Sequence, residues 1–515
     1  MTTLDLPGDA AIPLGDAASD ADRFDRAFER AAGGAPLTRC NSVKLLLDAR
    51  ENFPAGLASI AAAKEYILFE SYIIADDGVG HQFIDALAER ASKGVRVCVV
   101  YDWLGSTKFR RPWEPLRAAG AEIRCFNPPS VESPLAWLTR DHRKSIVVDG
   151  EIAYVSGLCV SSVWEGNRAK RLQPWRDTGV ELRGESVADI EAAFAQVWRA
   201  CAGGPLTLRA PTPHTTGEVR VRVIAGVPNS ASTYRTDLLV ASLAREHLWL
   251  TDAYFVGTSA YTQALRAAAS DGVDVRLLVP GASDVPAVSP LSRAGYRALL
   301  EGGVRVFEWN GTMLHAKTAV ADCRWSRVGS TNLNLVSWMS NYELDVAIED
   351  RAFSEAMAAQ YERDLEQATE VVLTRRNRVR RTEPRAADPV AEGTARRAVS
   401  GSAGRAAAGA VSVGSALGAA LTNRRTLGPA EAGLLTVVAV FTIFTAVLSA
   451  WFPRILAWPV AVLCGWLGVS WLWKAWTLWR KAPASAAAQE PGERPSKAAA
   501  TGEGAKPAII DNSRP

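Results

Sequence analysis

The sequence predicts an α/β protein made of two tandem copies of one domain. Each copy is a mixed, largely parallel sheet flanked by helices, the pair is set about a pseudo-two-fold axis, and a C-terminal transmembrane helical hairpin follows. Three observations carry this prediction. The spacing H-x-K-x(4)-D occurs at His142, Lys144 and Asp149 and again at His315, Lys317 and Asp322, 173 residues on (315 minus 142). The order of apolar runs and amphipathic stretches ahead of both motifs is the same, which is the signature of an internal repeat. Two runs without a charged residue, 432–452 and 455–473, stand near the C-terminus.

At 515 residues the chain exceeds what one core usually supports. Residues 1–34 are acidic, small and broken by Gly and Pro, so they are expected to be disordered apart from a short helix at their end. The first domain spans 40–205. Its runs "SVKLLLDA", "EYILFESYII" and "VRVCVVYDW" are short, apolar and bounded by turn residues, as buried parallel strands are. Between the last two, Val79, Phe83, Leu87 and Ala91 recur every four residues, with Asp77 as N-cap and Gly94 as stop. The second domain, 217–370, repeats the plan with "LWLTDAYFV", the helical "TSAYTQALRAAASDG" and "VDVRLLVPG".

Residues 371–431 form a basic linker rich in Gly and Ala. From 375 to 425 it holds eleven Arg against Glu383, Asp388 and Glu392, a local +8 (11 minus 3) in a chain whose net charge is +3. The hairpin, 432–473, offers two runs close to the roughly 20 residues that cross a bilayer. Arg424 and Arg425 precede it and Lys474, Arg480 and Lys481 follow, so both ends are expected to face the cytoplasm. Seven of the 17 Trp lie between Trp451 and Trp479, where interfacial anchoring would put them. Residues 482–515 are expected to be a disordered tail. The seven Cys are scattered without a C-x-x-C pair, which suits a reducing compartment and argues against a disulfide framework or structural zinc site. No secretory signal is evident at the N-terminus.

A lone H-x-K is weak evidence of function, but two full motifs at matching places are not, in a chain with only five His. Alternation along a strand puts His and Lys of each motif on one side. About a pseudo-two-fold axis, two imidazoles and two ammonium groups converge, a site suited to a phosphodiester. The lysines neutralise its charge, one His attacks phosphorus and the other protonates the leaving oxygen. A nucleophilic His needs an acceptor for its other nitrogen. Asp177 and Glu343 are candidates, each opening a strand downstream of its motif, and Ser330 and Asn332 in "GSTN" are uncharged donors for phosphate oxygens. There is no metal-ligand spacing, P-loop or G-x-S-x-G elbow, so no metal or other cofactor is expected.

With "FESYIIADDGVGHQF", "YDWLGS", "AYFV", "RLLVPGASD" and "MLHAKT" alongside the two motifs, the chain resembles the phospholipase D superfamily over about residues 40–370. Within it, the bacterial cardiolipin synthases are the most similar. The resemblance implies two phospholipase D-like domains and a membrane-bound phosphatidyltransferase making cardiolipin from phosphatidylglycerol through a phosphatidyl-histidine intermediate. It implies His142 as nucleophile and His315 as general acid and later base. Lys144, Lys317, Ser330 and Asn332 match phosphate-binding positions, Asp177 and Glu343 the acids that orient the histidines, and Asp149 and Asp322 structural ones. The implied partners are phosphatidylglycerol, other anionic phospholipids and the membrane, not nucleic acid. The implied location is a bacterial inner membrane with the catalytic domains on the cytoplasmic side.

Two features depart from the family pattern: Cys159 stands where Asn is common, and the hairpin is C-terminal rather than N-terminal. The residues leave hydrolysis open, as in a phospholipase D or, less readily, a nuclease. A scaffold that binds lipid phosphate without turnover is a further alternative, prompted by Cys159.

Overall fold

The computed structural model describes residues 17–107, 113–129, 138–167, 173–206, 208, 216–285, 288–373 and 379–381, with short helical stretches between 451 and 473. After a helix α1 (Ala17–Ala31), the first copy runs β1 (Thr38–Leu47), α2 (Asp48–Ala62), β2 (Tyr66–Ser71), α3 (Gly78–Ser92), β3 (Arg96–Asp102), α4 (Glu114–Ala118), β4 (Glu122–Phe126), β5 (Lys144–Val148), β6 (Ile152–Ser156), β7 (Thr178–Gly184) and α5 (Ser186–Ala200). The second runs β8 (Val219–Gly226), α6 (Ser232–Leu243), β9 (His247–Thr251), α7 (Ser259–Ser270), β10 (Asp274–Pro280), α8 (Val288–Glu301), β11 (Arg305–Trp309), β12 (Thr318–Ala321), β13 (Trp325–Gly329), α9 (Leu335–Met339), β14 (Glu343–Glu349) and α10 (Arg351–Glu366). Two edge strands, β15 (Ala368–Leu373) and β16 (Val379–Arg381), follow.

All sixteen strands join one sheet, in the order β16-β15-β11-β10-β9-β12-β13-β14-β8-β1-β7-β6-β5-β2-β3-β4. Read outward from the centre, the seven strands from β8 to β11 mirror the seven from β1 to β4. The antiparallel β1–β8 pair at the centre is therefore the pseudo-two-fold junction. A bulge lies between Thr38 and Asn41, where the pairing shifts register. α5 and α10 contribute to one core drawn from both copies, with Phe194, Val197 and Trp198 from the first and Phe353, Met357 and Tyr361 from the second. Neither copy closes that core alone.

The expectation of a largely parallel sheet is corrected. Only β2–β3, β3–β4, β9–β10 and β10–β11 are parallel, and the other strand pairs are antiparallel. Short apolar runs look alike in either sense, and the connection decides. Helical crossovers give the parallel triplets, while three-residue links at 149–151 and 322–324 force hairpins.

These links also explain the last residue of each motif. Asp149 and Gly150 have φ of 53° and 65°, and Asp322 and Cys323 have 51° and 47°, so both turns need two left-handed residues in succession. Asp tolerates that region, and its carboxylate then caps a neighbouring strand. Asp149 accepts from the N–H groups of Lys64, Glu65 and Tyr66 at 2.8–2.9 Å. Asp322 does the same for Arg245, Glu246 and His247, again at 2.8–2.9 Å.

The predicted helix in the first copy is present, with Asp77 Oδ1 accepting from the Gly80 N–H at 3.0 Å. The N-terminal region differs from expectation, because residues 17–31 form a full helix. It is held by Phe28, which packs on a core formed by the second copy, and by Asp25, which pairs with Arg39 and Arg220. The expected linker and hairpin, 371–473, lie outside the described residues apart from 371–373, β16 and the short stretches after 451. Among the described residues no helix is long and apolar enough to cross a membrane.

Candidate active site

The two motifs meet because each histidine is stitched to the opposite copy. The His142 N–H donates to the Tyr342 carbonyl at 2.9 Å, and the His315 N–H to the Arg176 carbonyl at 2.7 Å. Isolated parallel bridges, Asp141 with Tyr342 and Arg176 with Leu314, flank these bonds. Tyr342 and Arg176 are followed by Glu343 and Asp177. The backbone contact that fixes each histidine therefore delivers the acid that faces its ring.

The acids serve the histidines crosswise. His142 Nδ1 lies 2.9 and 3.1 Å from the two carboxylate oxygens of Glu343, and His315 Nδ1 lies 2.8 Å from Asp177 Oδ2. Sequence order, in which Asp177 follows His142 and Glu343 follows His315, does not announce this exchange. Burial pushes both carboxyls up, but the facing histidine and the lysines outweigh it and hold Asp177 and Glu343 below the usual carboxylate range. An ionised acid fixes the proton on Nδ1 and leaves Nε2 with a free lone pair.

Both imidazoles are neutral at pH 7. Burial, with Lys144 adding to it against the opposing pull of Glu343, brings His142 down to about 4. Burial and Lys317 bring His315 down to about 3 despite Asp177. His315 is the more enclosed: Trp164, Trp175 and Tyr254 surround its ring, with centroids at 5.2, 5.7 and 5.9 Å, whereas His142 has Tyr72 at 5.0 Å.

Each lysine donates to the carbonyl of the histidine two residues before it. Each also faces a tyrosine ring, Lys144 at 5.2 Å from Tyr72 and Lys317 at 5.8 Å from Tyr254. Lys317 Nζ lies 3.0 Å from His315 Nδ1, a nitrogen that cannot accept from Lys317 while donating to Asp177. The ionised carboxylate accepts the hydrogen bond from Nδ1–H, and the ammonium acts on the ring through its charge. Burial lowers Lys317 to about 8. Two cationic groups beside two neutral imidazoles make a site for an anion, with a nucleophile and a proton carrier available.

Of the remaining predicted residues, Ser330 lies against Glu343. Its hydroxyl donates to Glu343 Oε2 at 2.5 Å and accepts from the Leu344 N–H at 2.9 Å. Asn341 Nδ2 donates to the other Glu343 oxygen at 3.1 Å. Asn332 is buried with Nδ2 at 3.5 Å from Ser337 Oγ and Oδ1 unpaired, which leaves its amide with unused hydrogen-bonding capacity. Cys159, its counterpart in the first copy (332 minus 173), is buried, and burial raises its thiol pKa, so it is a neutral and weak donor. Asp149 and Asp322 point at backbone amides, away from the histidines. Sequence reasoning did not assign Tyr72 and Tyr254, although the matched "SYII" and "AYFV" contain them. Among the described residues no group of three or more His, Cys, Asp or Glu could hold a metal ion.

This duplicated sheet, with two His and Lys pairs brought together across the copies, defines a phospholipase D-type site. The family model described as "Cardiolipin synthase, PLD-like domain" matches residues 57–168 and 240–366, one segment for each motif. Cardiolipin synthase A of Pseudomonas aeruginosa is 34% identical over 352 residues, covering 67% of this chain and 71% of that protein. The cardiolipin synthase of Alkalihalophilus pseudofirmus is 32% identical over 349 residues, covering 66% and 69%. The chain belongs to the cardiolipin synthase family of the phospholipase D superfamily. The fold is shared with the crystal structure of phosphatidylserine synthase from Haemophilus influenzae Rd KW20, with a TM-score of 0.52 at 14% identity, over 67% of this chain and 92% of that one.

Proposed function

We propose that the protein is a phosphatidyltransferase that makes cardiolipin from two molecules of phosphatidylglycerol. The observation that carries the reading is the crossed pair His142–Glu343 and His315–Asp177, with Lys144 and Lys317 between them. His142 Nε2 attacks the phosphorus of one phosphatidylglycerol. The bond from phosphorus to the headgroup glycerol breaks, and that glycerol leaves with a proton from His315. A headgroup hydroxyl of the second phosphatidylglycerol then attacks the phosphatidyl-histidine, its proton passes to His315, and the N–P bond breaks. Lys144, Lys317 and the Asn332 amide hold the phosphate oxygens and stabilise the added charge of the pentavalent state.

His315 must carry a proton in the first step, yet burial and Lys317 keep it neutral in the free protein. The diester supplies the correction, because its negative charge offsets the lysines and raises the proton affinity of the ring beside it. Substrate and proton therefore enter together.

The catalytic repeats, 40–205 and 217–370, work against the cytoplasmic face of a bacterial inner membrane, on phosphatidylglycerol and other anionic phospholipids. The uncharged runs 432–452 and 455–473, with Trp451 and Trp458 exposed on the described stretches, support a hairpin of two spans that holds them there. The basic residues from Arg375 to Arg425 lie against anionic headgroups, each contributing on the order of 1 kcal/mol. Hydrolysis to phosphatidic acid is the second reading, since water can attack the same intermediate.

The test is a product analysis by mass spectrometry of purified protein in phosphatidylglycerol liposomes, beside His142→Ala and His315→Ala. Cardiolipin and glycerol are expected from the parent and neither from the variants. Phosphatidic acid alone would replace transfer by hydrolysis.

A further inference from the structure

Trp164 belongs to neither motif and has a serine, Ser337, at the matching place in the second copy (337 minus 173). Its side chain is 2% exposed, and its Nε1–H donates to Asp177 Oδ2 at 2.9 Å, the same oxygen that accepts from His315 Nδ1. The ring also meets the His315 imidazole edge to face, at 5.2 Å and 88°. From the geometry we infer that Trp164 is a positioning residue for the reaction: it pins the carboxylate that sets the tautomer and orientation of His315.

The arrangement is built from the first copy and acts on the second. Asp77, the cap of α3, turns its other oxygen to the chain before Trp164, accepting from Ser161 Oγ at 2.9 Å, Ser162 N at 2.8 Å and Ser162 Oγ at 3.0 Å. Opposite Trp164, Gly157 leaves the carboxylate its place: a Cβ there would stand 2.2 Å from Asp177 Oδ1. The Thr178 N–H donates to that Oδ1 at 2.8 Å. With His315 and Trp164 on Oδ2, the carboxylate is held on both oxygens and cannot rotate away.

The charged groups facing His315 are Asp177, Lys317 and Lys144, with Asp252 acting on Lys317. Removing the indole N–H leaves Asp177 less stabilised as an anion and so a stronger base toward the Nδ1 proton. His315 then becomes more basic. This inference rests on the proposed acid–base role of His315.

The decisive variant is Trp164→Phe, which keeps an aromatic wall and removes the donor. The assay follows kcat and KM against pH on a soluble short-chain phosphatidylglycerol in detergent. The expected result is a fall in kcat of about tenfold, KM within about twofold, and an alkaline limb, where the acid loses its proton, displaced to higher pH. A rise in KM with an unmoved limb would make Trp164 a mere wall of the pocket, and an unchanged profile would end the inference. Should Trp164→Phe fail to fold, Asp77→Asn preserves the helix cap through Oδ1 but cannot accept from Ser161 and Ser162; it is expected to move the limb the same way by less. Full activity in His315→Ala would remove the underlying reading instead. An inactive His315→Ala beside an unmoved limb in Trp164→Phe would overturn this inference alone.

Discussion

Asp177 and Glu343 occupy the same place in the two copies (register offset 166), one just before β7 and the other opening β14, yet they are held in different ways. The shorter acid lies against Gly157 and takes an indole N–H from Trp164; the longer one reaches further and takes a hydroxyl from Ser330 and an amide from Asn341. At the matched positions 157 and 330, a glycine makes room for the aspartate and a serine hydroxyl meets the glutamate. The duplication thus preserved the geometry at the imidazoles while the support beneath them diverged. Two similar histidines can then take unequal roles: His142 keeps 12% of its side-chain surface open, and His315 keeps 6%.

The largest effects should come from the histidines, and a good leaving group should separate them. His142→Ala and His315→Ala are each expected to lower turnover of phosphatidylglycerol by about a thousandfold or more. On a phosphatidyl ester of p-nitrophenol, which leaves without a proton, His315→Ala should recover much of its first step and His142→Ala should not. Equal recovery in both would break the assigned asymmetry.

The crossing itself is testable at about a hundredfold. Glu343→Gln and Asp177→Asn should each lose activity, and a double-mutant cycle should couple Glu343 to His142 and Asp177 to His315. Coupling within each copy would contradict the exchanged pairing. The pH profile sharpens the point: His142 is lowered to about 4, chiefly by burial, so its neutral form survives well below the ordinary imidazole value. On its acid side, kcat/KM should therefore show no limb near 6.5 and should fall as pH approaches about 4.

Much of this site was legible in the sequence. The spacing of His142, Lys144, His315 and Lys317 marked the groups that the fold brings together, and Asp177 and Glu343 stood out because each is an acid at a strand start. The exchange between them was not legible, because it depends on how the two copies pack about β1 and β8. The bond from Ser330 to Glu343 was hidden for a related reason: a hydroxyl after a strand suits a phosphate or a carboxylate equally, and only the fold brings Glu343 to it. Trp164 sits in a stretch whose counterpart carries a serine, so comparing the repeats gave no signal. The hairpin strands defeated periodicity because a buried apolar run of five residues carries no mark of its direction.

Smaller differences should follow from the unequal pair Asn332 and Cys159. Asn332→Cys is expected to lose about tenfold in kcat, as a charge-directed hydrogen bond would, and Cys159→Asn to change it little. A cavity of about 40 Å³ beside Cys159 leaves room for the amide. A larger loss in Cys159→Asn than in Asn332→Cys would reverse the assignment of the phosphate contact.

The smallest contrast should be between the two turns. Asp149→Ala and Asp322→Ala each remove a carboxylate bonded to three backbone amides, so thermal unfolding should report a similar loss, about 3 kcal/mol, in both. Burial raises the Asp322 carboxyl, but its three amide bonds lower it further, so its folded pKa lies below the unfolded one. Its contribution is present above the unfolded value, near 4, and is lost as pH falls through the folded one.

The most direct measurement is the site of covalent attachment. Protein incubated with phosphatidylglycerol labelled in its phosphate, quenched under alkaline conditions and digested, would be mapped by mass spectrometry. The account predicts the labelled phosphatidyl group on His142, retained longer when phosphatidylglycerol is supplied below the enzyme concentration so that no second molecule is left to attack it. Label on His315, or none on either histidine while cardiolipin accumulates, would contradict it.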